Sequence, residues 1–163
     1  MHDIREFQGE YRWLSNFWPA PVELDGVVYP CVENAYQAAK LAIEKRIEFP
    51  YASCAPGLAK RAGRGTQGED WPRRKVGVMH FLLAQKFAFG TPLAERLLAT
   101  GDAVLIEGNR WHDTFWGVCN GRGKNVLGRL LMARRDVLRG LVDPWPVVRT
   151  DAPVEPLSSL DLF

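Results

Sequence analysis

Glu33, Gln37 and Lys40 recur at i, i+4 and i+7 in the stretch YPCVENAYQAAK, residues 29–40. A helix there sets a carboxylate, an amide and an amine on one face, with Tyr36 beside them. The neighbouring Val32, Ala35, Ala38 and Ala39 are apolar or small. Two readings fit this pattern: an ion pair over a solvated face, and the polar wall of a pocket. In a pocket, a carboxylate moves protons or stabilises an oxocarbenium-like centre during glycosidic cleavage. A lysine there attacks an electrophilic carbon and forms a Schiff base, provided that desolvation or a cationic neighbour makes it nucleophilic.

Further reactive types lie on separate segments. LSNFWP (14–19) offers Asn16, Phe17 and Trp18: two core aromatics sealing the N-terminus, or a platform for a flat ligand with Asn16 as its polar handle. AKRAGR (59–64) brackets Lys60, Arg61 and Arg64 with glycines, which suits an exposed turn as well as an anion site. Arg73, Arg74 and Lys75 crowd a helix start, where the dipole disfavours cations. The stretch NRWHDTFWGVCNGRGKN (109–125) holds Asn109, Asp113 and Trp116 among glycines that let backbone approach a ligand.

The elements that must position these residues are legible in outline. Residues 5–18 show no clean period and read as a loop or short strand. Asp25-Gly26 between Val22–Leu24 and Val27–Tyr29 is a hairpin signal, because a two-residue turn needs positive φ. A helix is expected from about Val32 to Glu48, ahead of Pro50. Others are expected from Pro56 to Gly63, from Trp71-Pro72 towards Gly90, from Thr91 to Gly101, and over about Asn125–Arg139. AVLIEG (103–108) reads as a short buried strand, and Gly128 as a site of close helix approach.

With 163 residues, 47% hydrophobic and 25% charged, the chain suits one core. A net charge of +2 gives no global field towards nucleic acid or membrane. Cys31, Cys54 and Cys119 are odd in number and widely spaced, and His2, His80 and His112 lack ligand spacing. No disulfide framework, metal or cofactor is therefore expected. Nothing approaches a signal peptide or an 18-residue apolar run, so a cytoplasmic protein without a membrane partner is expected. Motifs for serine hydrolases, Walker-type phosphate loops, dinucleotide binding and zinc proteases are absent.

Taken in order, LSNFWP, YPCVENAYQAAK, AKRAGR, LLATGDAVLIEGN (97–109) and DTFWGVCNGRGKNVLGRLLMARR (113–135), with Trp71 and Met79 between, resemble the NADAR domain, also called the YbiA-like family. The resemblance covers the chain to about Arg139. It implies an α+β, mainly α fold, a single compact domain over residues 1–140 with a short N-terminal β-hairpin and small β elements, followed by a proline-containing tail at 141–163. It also implies hydrolysis of an N-glycosidic bond at ribose C1.

Two substrate classes go with the resemblance: ADP-ribose on a guanidine-type nitrogen of arginine or guanine, and phosphorylated ribosyl-pyrimidine intermediates of riboflavin synthesis. On that basis Glu33 is a candidate acid/base or ribose ligand, Lys40 or Lys60 a candidate nucleophile, and Asp113 a second carboxylate. Phe17, Trp18 and Trp116 would stack on the base or line the ribose, Asn16 and Asn109 would position hydroxyls, and Tyr36, Gln37 and Trp71 would also bind substrate. Arg61 and Arg64 would be the cationic neighbours of the lysine or hold phosphate. The partner is then a ribosylated or ADP-ribosylated small molecule, protein or nucleic acid met as substrate, with no stable nucleic-acid partner. The rival expectations are a non-catalytic ADP-ribose or nucleotide binder, and a phosphate track formed by Arg61, Arg64, Arg73, Arg74 and Lys75.

Overall fold

Five helices wrap two small sheets in the computed structural model, which describes residues 3–141. The expected tail therefore lies, from residue 142 onward, outside the described residues. The hairpin forms as the Asp-Gly signal requires. β1 (Val22–Leu24) pairs antiparallel with β2 (Val27–Tyr29), and the turn residues Asp25 and Gly26 take φ of 51° and 77°. Pro30 then leads into α1 (Val32–Ala38), whose seven residues are all buried.

α1 is shorter than its sequence suggests. The carbonyl of Lys40 accepts the amide of Gly68 (3.3 Å), so a tertiary hydrogen bond replaces the next helical one. Residues Ile43–Glu48 form a separate 3-10 turn. The backbone stays helical through Ala39, which keeps Lys40 near the face of Glu33 and Gln37. A second correction concerns the N-terminus. Gly9–Leu14 is a 3-10 helix that buries Trp13 and Leu14, not a loop or strand.

α2 (Pro56–Ala62) begins on proline and α3 (Trp71–Lys86) carries Pro72 as its second residue, and a proline in the first turn gives up no intrahelical hydrogen bond. α3 crosses α1, β1 and α5 (Val126–Leu138), and Met79, Leu82, Leu83 and Phe87 are at most 1% exposed there, so α3 forms the centre of the core. Its last residue, the buried Lys86, donates to the carbonyls of Ser15 (2.7 Å) and Leu14 (3.4 Å), which fixes the turn that delivers Asn16 and Phe17. Burial pulls the Lys86 pKa down to about 7. α4 (Pro92–Ala99) is capped by the Thr91 hydroxyl, which accepts from the Ala94 amide, and packs on α5.

The stretch read as a strand over 103–108 pairs with Ile4 only through an isolated bridge at Leu105. Regular strand begins later, where β3 (Gly108–Asn109) lies parallel to β4 (Val118–Cys119). Asn125 explains the shift. Its side chain donates to the carbonyl of Leu105 (2.8 Å) and accepts from the amide of Glu107 (3.0 Å), satisfying backbone groups that a longer ladder would have used. Gly128 is the close-approach site expected of it, because a Cβ there would collide with the carbonyl of Leu105. Among the described residues no helix is long and apolar enough to cross a membrane.

Candidate active site

α1, α2, α3, the 3-10 helix and the 109–125 loop enclose a cleft of about 830 Å³. Glu33, Gln37 and Lys40 form its wall, so the pocket reading of that face is the one realised. Glu33 is 6% exposed and accepts from Gln37 Nε2 at 2.8 Å. Burial raises its carboxyl pKa, and the Gln37 hydrogen bond and the ammoniums of Lys60 and Lys40 oppose that rise. The Gln37 carbonyl oxygen is left buried without a partner. It faces Gly63, where any Cβ would strike it and displace the Gln37 amide from its place in the wall.

Lys40 is half-buried and donates to the carbonyl of Gly63 at 3.1 Å. Desolvation lowers its pKa, which increases the neutral, nucleophilic fraction. Lys60 enters from α2, with its ammonium 5.5 Å from the Phe17 ring and 5.7 Å from the Trp111 ring. Tyr36 anchors an aromatic layer, its ring 5.0 Å from Trp71 and 5.5 Å from Trp116. Asn16 leaves its Oδ1 buried and unpartnered while its amide nitrogen faces the Met79 sulfur at 3.5 Å.

Asp113 lines the cleft too, but one carboxylate oxygen is committed to the loop. Its Oδ1 accepts from the amides of Phe115 (3.1 Å) and Trp116 (2.8 Å). The cleft thus gathers Glu33, Lys40, Lys60, Asp113, Asn16, Phe17, Tyr36, Gln37, Trp71 and Trp116 from the expected set.

Four expected residues lie elsewhere. Arg61 and Arg64 are exposed and outside the lining: α2 turns Lys60 inward, so Arg61, about 100° further round, points away, and Arg64 lies past the end of the helix at Ala62. Trp18 packs half-buried against the hydrophobic core. Asn109 spends its amide on the loop, donating to the carbonyls of Asp113 (2.7 Å) and Val118 (3.3 Å) and accepting from the Asp113 amide (3.1 Å).

The cleft also holds Glu107, Arg12 and Trp111, which are not among the expected site residues, and Lys75, which is expected only in a phosphate track. Glu107 sits at the end of an apolar run, and a lone carboxylate after Leu105-Ile106 was the available signal. Lys75 lies in the first turn of α3 with its ammonium 3.4 Å from the Phe115 ring centroid, and Lys124 approaches the same ring at 5.9 Å. Arg74 of that turn is instead paired with Asp70 at 2.9 Å. Among the described residues no three of His, Cys, Asp and Glu converge as a metal centre.

A mainly helical α+β domain with a carboxyl, an amine and stacked aromatics in one cleft defines an enzyme class when it is joined to matching relatives. The family model of the NADAR domain matches residues 4–139. The chain belongs to the NADAR family of N-glycosidases. The N-glycosidase YbiA of Escherichia coli is 37% identical over 133 residues, covering 79% of this chain and 82% of that protein. The NMR structure of the same Escherichia coli protein superposes with a TM-score of 0.73 at 34% identity, covering 86% of this chain and 88% of that one. A riboflavin biosynthesis protein of Vibrio vulnificus is 36% identical over 133 residues, which span 79% of this chain and only 36% of that protein's length.

Proposed function

We propose that the chain hydrolyses the bond between ribose C1 and a guanidine-type nitrogen, releasing ADP-ribose from arginine or guanine. The supporting observation is Glu33, a carboxyl buried under Gln37 in the same cleft as Lys40, Lys60 and a three-ring aromatic layer. A carboxyl held protonated by burial can deliver a proton to the departing nitrogen. The ammoniums of Lys40 and Lys60 offset the carboxylate charge that remains. Attack on C1 then comes from water, or from the Lys40 amine to give a Schiff base of the opened ribose. Borohydride reduction separates the two: a ribose adduct at Lys40 supports the amine, and turnover without any adduct supports water.

Phosphate recognition moves from Arg61 and Arg64 to the lysines of the rim. The Lys75 and Lys124 ammoniums approach one ring, and burial and the nearby Lys124 both lower the Lys75 pKa, a cost that a bound anion would relieve. Lys75→Met is expected to raise KM for a phosphate-bearing substrate roughly tenfold with kcat little changed, the size of one charge-assisted contact. The effect shrinks in high salt. An Arg61→Met, Arg64→Met double variant serves as the comparison and leaves KM unchanged.

A second substrate class is favoured by the name of the Vibrio vulnificus relative, a riboflavin biosynthesis protein. It joins ribose C1 to a nitrogen beside a phosphate, so the same cleft serves. A panel of ADP-ribosyl-arginine, ADP-ribosyl-guanosine in DNA and phosphorylated ribosyl-pyrimidines, scored by mass spectrometry, decides between them. Free ADP-ribose from the first two is the expected result. Release of ribose phosphate from the third alone moves the assignment to riboflavin intermediates, and stable binding without cleavage reduces the chain to a binding module.

A further inference from the structure

The geometry points to Glu107 as the general base of this cleft, the carboxylate that takes a proton from the attacking water. This rests on the glycosidase reading above and adds a residue to it. Glu107 lines the cleft, yet its Oε2 is closed to solvent and has no hydrogen-bond partner. A buried carboxylate oxygen without a donor is costly, so natural structures rarely keep one without a use.

Its backbone is held from several sides. The Glu107 amide donates to Asn125 Oδ1 (3.0 Å), and its carbonyl accepts from the Val118 amide (2.9 Å). Gly117 packs so closely that a Cβ there would meet that carbonyl and the Glu107 side chain, and a Cβ on Gly108 would strike the carbonyl of Arg5. Three segments, at Arg5, Gly117–Val118 and Asn125, therefore fix the backbone of a residue whose carboxyl lines the cleft, the preorganisation expected of a catalytic group. Asp113 is the less suitable base, since its Oδ1 already accepts two amides.

The step balances with water as the sole co-reactant. Water oxygen bonds to C1 as the C1–N bond breaks, and that bond's electron pair leaves on nitrogen. Glu33 gives nitrogen its proton and Glu107 accepts one from the water. The two carboxyls exchange protonation states, which solvent resets. In the Schiff-base route the same base activates water for imine hydrolysis.

The groups facing Glu107 come from four elements. Asp113 and Glu33 raise its pKa, Lys60 and Lys86 lower it, and burial dominates, leaving it at about 7. A base must be deprotonated, so kcat is expected to climb as pH rises through about 7. The test is steady-state kinetics of wild type, E107Q and E107A from pH 5 to 9, with circular dichroism to check the fold. E107Q is expected to lose roughly 10²–10⁴-fold in kcat with KM within about threefold, a split that marks a group acting in the transition state, and to lose the rising limb. Formate is expected to restore part of the E107A rate. E107Q keeping wild-type kcat and the limb overturns Glu107 while the glycosidase reading stands. So does a loss in E107Q and E107A that formate does not recover and that leaves the limb in place. Wild type releasing no ribose from any substrate overturns both.

Discussion

Glu33→Gln is expected to cut turnover by roughly 10²–10⁴-fold, the usual share of a general acid, in a chain that still folds. Gln preserves the size of the side chain and its place beside Gln37, whose Nε2 lies 2.8 Å from Glu33 Oε1. It removes only the transferable proton. Burial holds the carboxyl pKa above its ordinary value, so the wild-type group keeps its proton at pH values where a surface glutamate has lost it. The linkage follows. A carboxyl with a raised folded pKa costs stability as pH climbs from the unfolded value through the folded one. Gln cannot ionise and escapes that cost, so thermal unfolding of E33Q is expected at equal or higher temperature than wild type above neutral pH. Lost turnover with unchanged or improved stability separates a chemical role from a structural one. Full turnover in E33Q would remove Glu33 from the reaction.

Gly117→Ala is expected to do the opposite, lowering stability and activity together. The new Cβ would meet the Glu107 carbonyl oxygen and Asn109 Nδ2 at distances real Cβ atoms essentially never adopt, and would press tightly on the Glu107 side chain. Two of the three contacts belong to a segment held by Asn125 and Val118, so little can give way. Overpacking of this kind costs about 1–3 kcal/mol, readable as a lower urea midpoint. Because the displaced atoms carry Glu107, kcat is expected to fall even at temperatures where the variant is fully folded. Gly121→Ala is the contrast: its Cβ meets nothing, and only its φ of 73° carries strain.

The sequence announces this cleft unevenly, for physical reasons. Helical spacing puts Glu33, Gln37 and Lys40 on one face, and the structure keeps them there although α1 ends at Ala38. That early end is invisible in the sequence, because the competing donor is Gly68, far along the chain. Local composition cannot say which of Lys60, Arg61 and Arg64 points inward. The rotation of α2 points Lys60 inward and Arg61 away, and the helix ends at Ala62 before Arg64 can share the lysine's face. Trp18 and Asn109 look like binding residues by type, yet one packs against the core and the other ties its own loop. Glu107 is missed because its surroundings read as buried strand, and only Asn125, 18 positions later, shows why that strand stops and what the stop exposes.

The loop from Asn109 to Asn125 carries almost no regular structure, yet many of its amides are hydrogen-bonded. Asp113 bonds to Asn109 Oδ1, Phe115 and Trp116 to Asp113 Oδ1, Val118 to Glu107, Cys119 and Arg122 to each other, and Lys124 to Thr114. Opening such a loop breaks many bonds at once, so its bonded amides are expected to exchange with deuterium on the timescale of the helices rather than of a surface strap. Substrate then meets one side of the cleft already cast, and selectivity rests on fit to a fixed mould rather than on a flap that closes after binding.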